Sequence, residues 1–311
     1  MEISIWLPIS AGLLASLAPI TQGGLRKIDE KRFAKYARAR RLPLPDQLRM
    51  PVLQRISRRE RMAMICGGAG MLVGLALALV LGRLAPERTG GLGALITCGL
   101  ALGGSLGGFV AALRTPQPAS DAPRVARSVQ TDVRDYQTRG ERVAFALAPV
   151  SILLGLGTAW LIWALLPTRP EDHLLLMTVA TAVSLVLLAG WALLIASARL
   201  LVQRPQRARD DLELAWDDAD RTDALRGLTD NGIAAGMIAP FVSLIVAGGL
   251  VVPPQVRAGS ENLTLQLGIA ALVVGLICWA ILLVPYLSGR FTANPSLKLW
   301  RGASFTEPAP C

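Results

Sequence analysis

Long uncharged apolar runs alternate along the chain with polar connectors. Seven runs contain no Asp, Glu, Lys or Arg, at about residues 3–20, 62–82, 91–113, 143–166, 173–198, 232–252 and 263–287. Roughly 20 consecutive apolar residues are needed for a helix to cross the hydrocarbon of a bilayer. Continuous runs of this length predict helices, because a transmembrane barrel strand reads instead as roughly ten alternating residues. The pattern therefore predicts an all-α, polytopic bundle of seven spans forming a single membrane domain over residues 1–311.

Composition supports that reading. The 311 residues are 52% hydrophobic and only 17% charged, with 4 Cys, which excludes a disordered chain and a disulfide-stapled secreted domain. The net charge of +10 is unevenly placed. Connectors 21–61, 114–142, 199–231 and 288–311 hold 28 of the 32 Lys and Arg. The alternate connectors hold only Arg83, Arg88, Arg169 and Arg257. Basic loops stay on the cytoplasmic side, so the N-terminus is predicted outside and the C-terminus inside. The first run reads as an uncleaved anchor: its basic cluster begins after it, at Arg26, whereas a signal peptide is basic before its apolar stretch.

Beyond that anchor the chain divides into three hairpins, 62–113, 143–198 and 232–287, with outer turns marked by Pro86, Pro167, Pro170, Pro253 and Pro254. Ala148-Pro149 and Ala239-Pro240 occupy matching places in the rising helices of the second and third hairpins, and both prolines predict kinks. A parallel repeat of hairpins is one reading of this match, and chance recurrence in Ala-rich helices is the other.

Two polar connectors have distinct character. Leu25 to Arg41 sets Leu25, Ile28, Phe33, Tyr36 and Ala37 among eight basic residues, the pattern of a helix lying on the anionic inner leaflet, ended by Pro43-Leu44-Pro45. Asp210 to Asp230 is acidic, with Leu212, Leu214, Trp216, Ala219, Leu225 and Leu228 interspersed, and predicts a solvated amphipathic helix. Such a helix either covers the base of the bundle or meets a basic partner. Its candidate docking residues are Asp210, Asp211, Glu213, Trp216, Asp217, Asp218, Asp220 and Asp223. The segment Trp216 to Arg226, leading into an Ala- and Gly-rich span, resembles segments of uncharacterised multi-pass membrane proteins of high-GC actinobacteria. That resemblance implies a bacterial inner-membrane location and brings no activity with it.

Reaction chemistry finds little support. No Asp, Glu, Lys or Arg lies inside a predicted span, and the single His173 sits at the outer edge of the fifth. Ion-driven pumps, proton relays and voltage sensors need ionisable groups at depth. One His precludes a multi-histidine metal site, and the chain has no HExxH, CxxC or phosphate-loop motif. Cys66, Cys98 and Cys278 read as small apolar side chains within spans, and Cys311 does not complete a prenylation box. The sequon at Asn262 abuts a helix, and Asn294-Pro295 lacks the following Tyr of heptahelical receptors. Basic residues at helix ends answer to topology, so nucleic acid is not an expected partner. Trp6, Trp160, Trp163 and Tyr286 read as an interfacial aromatic belt. No catalytic residue, cofactor or metal is expected.

Small residues give a physical motif. Gly99, Gly103 and Gly107 recur every fourth residue on one helical face, as do Gly70 and Gly74, and such faces let helix backbones approach closely. Packing within the monomer is the first use of such a face and self-association into a homo-oligomer the second. The expectation is a non-enzymatic membrane protein of interaction or scaffold type, with the basic 25–61 and acidic 210–230 segments docking a cytoplasmic partner. A permease component for a neutral or apolar solute is the alternative. It requires a polar cavity near the midplane. An enzyme acting on lipid is a third class, for which only the carboxylates from Asp210 to Asp223 are dense enough.

Overall fold

The computed structural model describes residues 37, 38, 40, 42, 43, 45–84, 92–113, 131–165, 171–206, 208, 210–251, 261–290, 299 and 300. The first predicted anchor, nearly all of the 25–41 segment, the outer-turn prolines, Asn294-Pro295 and Cys311 lie outside them. Among the described residues there are seven α-helices and no β-strand. They are α1 (Asp46–Leu84), α2 (Leu92–Leu113), α3 (Val133–Tyr136), α4 (Arg139–Leu165), α5 (Glu171–Gln203), α6 (Asp211–Val251) and α7 (Glu261–Arg290). On α1, α4 and α5, Leu48–Val80, Arg139–Leu165 and Ala180–Gln203 are long and apolar enough to cross a membrane.

Apolar side chains cover the outside of these helices. Leu72, Val73 and Val80 on α1, Leu153 and Leu161 on α4, Leu185 and Val186 on α5, and Val284 on α7 are all more than half exposed. Water would penalise so large an apolar surface, whereas lipid tails do not. Within the bundle several buried side chains on α4 and α6 are small, Ala144, Ala148, Ala159, Ala235 and Ala239, beside larger ones such as Ile152, Ile233 and Leu282.

The three sequence hairpins are not three packing units. The main neighbours of α4 are α6 and α7, and α6 touches every other helix. At the crossing of α4 and α6, Gly155 lies against Pro240, and a Cβ on Gly236 would stand 2.7 Å from that of Ala148.

That crossing also resolves a problem set by the prolines. A proline inside a helix leaves the carbonyl four residues earlier without its N–H donor. Pro149 frees the carbonyl of Phe145, and the indole N–H of Trp191 on α5 donates to it at 3.0 Å. Pro240 frees that of Gly236, and the Ser151 hydroxyl on α4 donates to it at 2.8 Å. Both donors come from a neighbouring helix, so each proline position is joined to the packing around it. Ser151→Ala should cost about 1 kcal/mol in the native chain. In a Pro240→Ala background the cost should vanish, because the new N–H bonds Gly236 directly. A double-mutant cycle of unfolding in detergent measures this, and equal costs in both backgrounds would refute it.

The helix bounds differ from the sequence segmentation at one place with consequences. The acidic segment and the sixth apolar run form one unbroken helix, α6, of 41 residues. At 1.5 Å per residue it is about 60 Å long, roughly twice a hydrocarbon core. Nothing interrupts it because Asp210 to Asn231 contains no proline, and its only glycine, Gly227, is a tolerable cost within a long helix.

Candidate functional site at the charged end of the bundle

The acidic half of α6 does not stand in solvent. Leu214, Ala215, Trp216, Ala219, Ala224, Leu225 and Leu228 are buried, and so are Asp218, Arg221 and Thr222. The expected solvated helix is thus corrected to a buried one: it is the floor against which the other polar segments pack.

Asp218 is the centre of this floor. Its carboxylate is fully buried and accepts from three neutral donors. The Tyr136 hydroxyl donates to Oδ1 at 2.9 Å, the Gln206 amide to Oδ1 at 2.7 Å and the Trp300 indole to Oδ2 at 3.0 Å. Three chain segments distant from one another in sequence therefore converge on one side chain. Burial, and then the nearby Asp218 carboxylate, push the Tyr136 phenol well above its ordinary pKa, so it stays protonated and donates. One turn on, Arg221 closes the end of α5. Its guanidinium donates to the carbonyls of Val202 at 3.3 Å and Arg204 at 2.8 Å, and to Asp217 at 3.1 Å. The last carbonyls of a helix lack intrahelical donors and attract a cation, so Arg221 serves as a C-cap supplied from another element.

A second face of α6 meets the basic arm that precedes and begins α1. Arg40 pairs with Asp223. Arg59 lies 3.4 Å from Asp220, and Arg55 lies 3.8 Å from both Glu213 and Asp217. Arg55 and Arg59 are one helical turn apart and so share this face, while Arg58 and Arg61 are exposed. An apolar seam lies beneath the charges: Ala37, Val52 and Trp216 are buried together, flanked by Leu48, Leu53, Ile56 and Leu212. The Trp216 indole donates to the carbonyl of Pro43 at 3.1 Å, in the turn that leads into α1. Burial raises the Asp220 carboxyl above its usual range, and Arg59 opposes that shift.

The expected docking residues can now be placed one by one. Asp210 accepts from the Glu213 backbone N–H at 2.7 Å as the N-cap of α6. Glu213, Asp217, Asp220 and Asp223 face the arm, Asp218 and Trp216 are buried, and Asp211 is exposed. Tyr136, Gln206, Arg221 and Trp300 were not singled out in sequence. Nor was Glu141, fully buried 2.9 Å from Arg226 Nε in an ion pair that lacks linear hydrogen-bond geometry. A signal for it existed: Thr138-Arg139-Gly140-Glu141 is a capping box. Thr138 N–H donates to Glu141 at 2.9 Å, and Glu141 N–H to the Thr138 hydroxyl at 3.2 Å.

The glycine face lies away from this end, between α1 and α2. Gly70 packs on Gly99, Gly103 on Cys66 and Gly107 on Met62, each glycine against a backbone carbonyl, and a Cβ on Gly99 would stand 3.4 Å from the nitrogen of Gly74. The face is occupied within one chain. Deeper in the bundle, Trp160 on α4 donates to Thr181 on α5 at 3.0 Å. The space between α4, α5 and α6 is filled by Ile152, Leu187, Ala235 and Ala239. Among the described residues no three His, Cys, Asp or Glu side chains are arranged to hold a metal ion.

Compared with family models, with curated proteins and with solved structures, the chain finds no match.

Proposed function

We propose that the chain is a seven-span protein of the bacterial cytoplasmic membrane, with its N-terminus outside and its charged end in the cytoplasm, and that it works by interaction. Its partner is a cytoplasmic protein with a basic, helical segment. That segment takes the place of the chain's own basic arm on the acidic face of α6. One observation carries the reading: Glu213, Asp217, Asp220 and Asp223 are matched by Arg40, Arg55 and Arg59 of the same chain. The pairs of Asp217 and Asp220 are partly open to solvent, with those side chains 29% and 20% exposed, and the Arg40–Asp223 and Arg55–Glu213 pairs are more enclosed. Partly exposed ion pairs contribute up to about 1 kcal/mol each, so a segment that offers the same charges and an equivalent apolar face can replace the arm. Arg58 and Arg61, facing outward, suit the anionic inner leaflet beside the arm.

The dense packing at Gly155, Pro240, Gly236 and Ala148 disfavours the alternative of a solute permease, whose cavity would fall at that level. The test uses a peptide of residues 37–61 as the probe. Arg40→Gln with Arg55→Gln and Arg59→Gln should raise binding of the added peptide several-fold in a detergent-solubilised preparation. Further neutralisation by Asp217→Asn and Asp220→Asn should remove the gain. Peptide binding that ignores both sets of substitutions would reject the proposal.

A further inference from the structure

Beside the Asp218 network, and separate from the acidic face, a cavity of about 290 Å³ is lined by Thr131, Asp132, Val133, Arg199, Val202 and Gln203. We propose that it holds the headgroup of a zwitterionic aminophospholipid, with the phosphate on Arg199 and the primary ammonium on Asp132. This inference rests on the membrane reading above.

Position argues for a lipid. Arg199 is the first charged residue after the apolar run of α5, one turn before that helix ends at Gln203. The uncharged run that Arg199 ends, Leu174 to Ala198, is 25 residues or about 38 Å of helix, enough to cross a hydrocarbon core. Arg199 therefore stands where phosphates lie, and the neighbouring Leu193 and Leu200 are about half exposed. An arginine between helices at this depth meets lipid phosphates. A guanidinium fits a phosphate diester through paired N–H donors.

Chemistry argues for an amine on the same headgroup. Asp132 is fixed before any ligand arrives: one carboxylate oxygen accepts from the Val133 N–H at 2.6 Å, and the Asp132 N–H is held by Asp135 at 2.8 Å. Its second oxygen lies 3.7 Å from Arg134 Nε, in a pair whose side chains are 67% and 77% exposed. Such an exposed contact is readily exchanged. The Thr131 hydroxyl and the Gln203 amide supply further polar atoms, and Val133 and Val202 offer apolar contact to the glycerol. A carboxylate at this position repels an anionic glycerol headgroup. A quaternary choline has no N–H to donate to it. A primary ammonium joined to a phosphate answers both charges in the lining.

The test is native mass spectrometry of the detergent-solubilised full chain with added phosphatidylethanolamine, phosphatidylglycerol or phosphatidylcholine. Phosphatidylethanolamine should be retained preferentially. Arg199→Ala should lower its retention about tenfold, the loss expected for a hydrogen bond to a charged group. Asp132→Asn keeps the helix cap, because asparagine caps as well as aspartate, and should level the ethanolamine and glycerol lipids. Equal retention of the three lipids, or retention unchanged by Arg199→Ala, overturns the site. Displacement by soluble glycerophosphoethanolamine at equal affinity overturns the assignment to a lipid in favour of a free phosphoester. Recovery of the chain from membranes without detergent overturns the membrane reading itself, an outcome distinct from the others.

Discussion

Asp218→Ala lowers the unfolding midpoint of the detergent-solubilised protein further than substitution of any of its partners. Three donors, from Tyr136, Gln206 and Trp300, converge on this carboxylate, and the residue is fully buried. Alanine removes the acceptor that these N–H and O–H groups share. Orphaning the buried Tyr136 hydroxyl costs about 1–3 kcal/mol and the part-buried Gln206 and Trp300 donors less, partly offset by removal of a buried charge, for an expected loss of about 2–4 kcal/mol. Tyr136→Phe and Trp300→Phe each remove one donor and leave the carboxylate two others, so each should cost about 1 kcal/mol. Asp218→Asn is the informative intermediate, since its amide oxygen can accept while its NH2 confronts a donor. Unfolding is followed by tryptophan fluorescence, which also reports release of Trp300. A loss below 1 kcal/mol for Asp218→Ala would mean that the network does not hold the base together.

The second large effect concerns the crossing of α1 and α2. Gly103→Ala places a methyl group against the Cys66 carbonyl and 3.2 Å from Gly67 Cα, atoms that belong to backbone and cannot swing aside. The two helices must separate, losing the close contact that replaces the hydrophobic drive in lipid. Overpacking of this kind costs about 1–3 kcal/mol, and more where backbone is the obstacle. Gly108→Ala, five residues further along the same helix, is the control. A Cβ there meets nothing within 4 Å, and the same is true of Gly68 on α1. These substitutions should be neutral or stabilising by up to about 1 kcal/mol, because alanine is the better helix former. Thermal midpoints of the two variants measure the contrast. Equal effects would show that helix propensity, not contact, governs the position.

The glycine spacing was informative in sequence because a missing Cβ is a property of the residue itself: a four-residue repeat of glycine marks a face where backbones can meet. The partner face, from Met62 to Gly74, was legible only in part, since Met62 and Cys66 contribute carbonyls and every residue has one. The prolines behave similarly. Pro149 and Pro240 announce a freed carbonyl each, but nothing local identifies Trp191 or Ser151 as the donors that answer them. The acidic segment reads in sequence as helical and amphipathic, and of its two uses the structure takes the cover over the base of the bundle, buried and not solvated. Its charges suggested solvent, and the structure surrounds Asp218 with donors from three other segments.

By itself, then, the amino-acid sequence determined where the apolar helices of the described residues lie and which connectors carry charge, because both depend on composition over a window of residues. Only the tertiary structure decided what the charged connectors face. Arg40 and Asp223 are 183 residues apart, and Arg59 and Asp220 are 161 apart. Coulomb attraction is not directional, and the 21–61 connector offers 13 basic residues to any carboxylate. Selection among them comes from the apolar seam of Ala37, Val52 and Trp216, which sets the arm on α6 and leaves Arg55 and Arg59 facing inward and Arg58 and Arg61 outward.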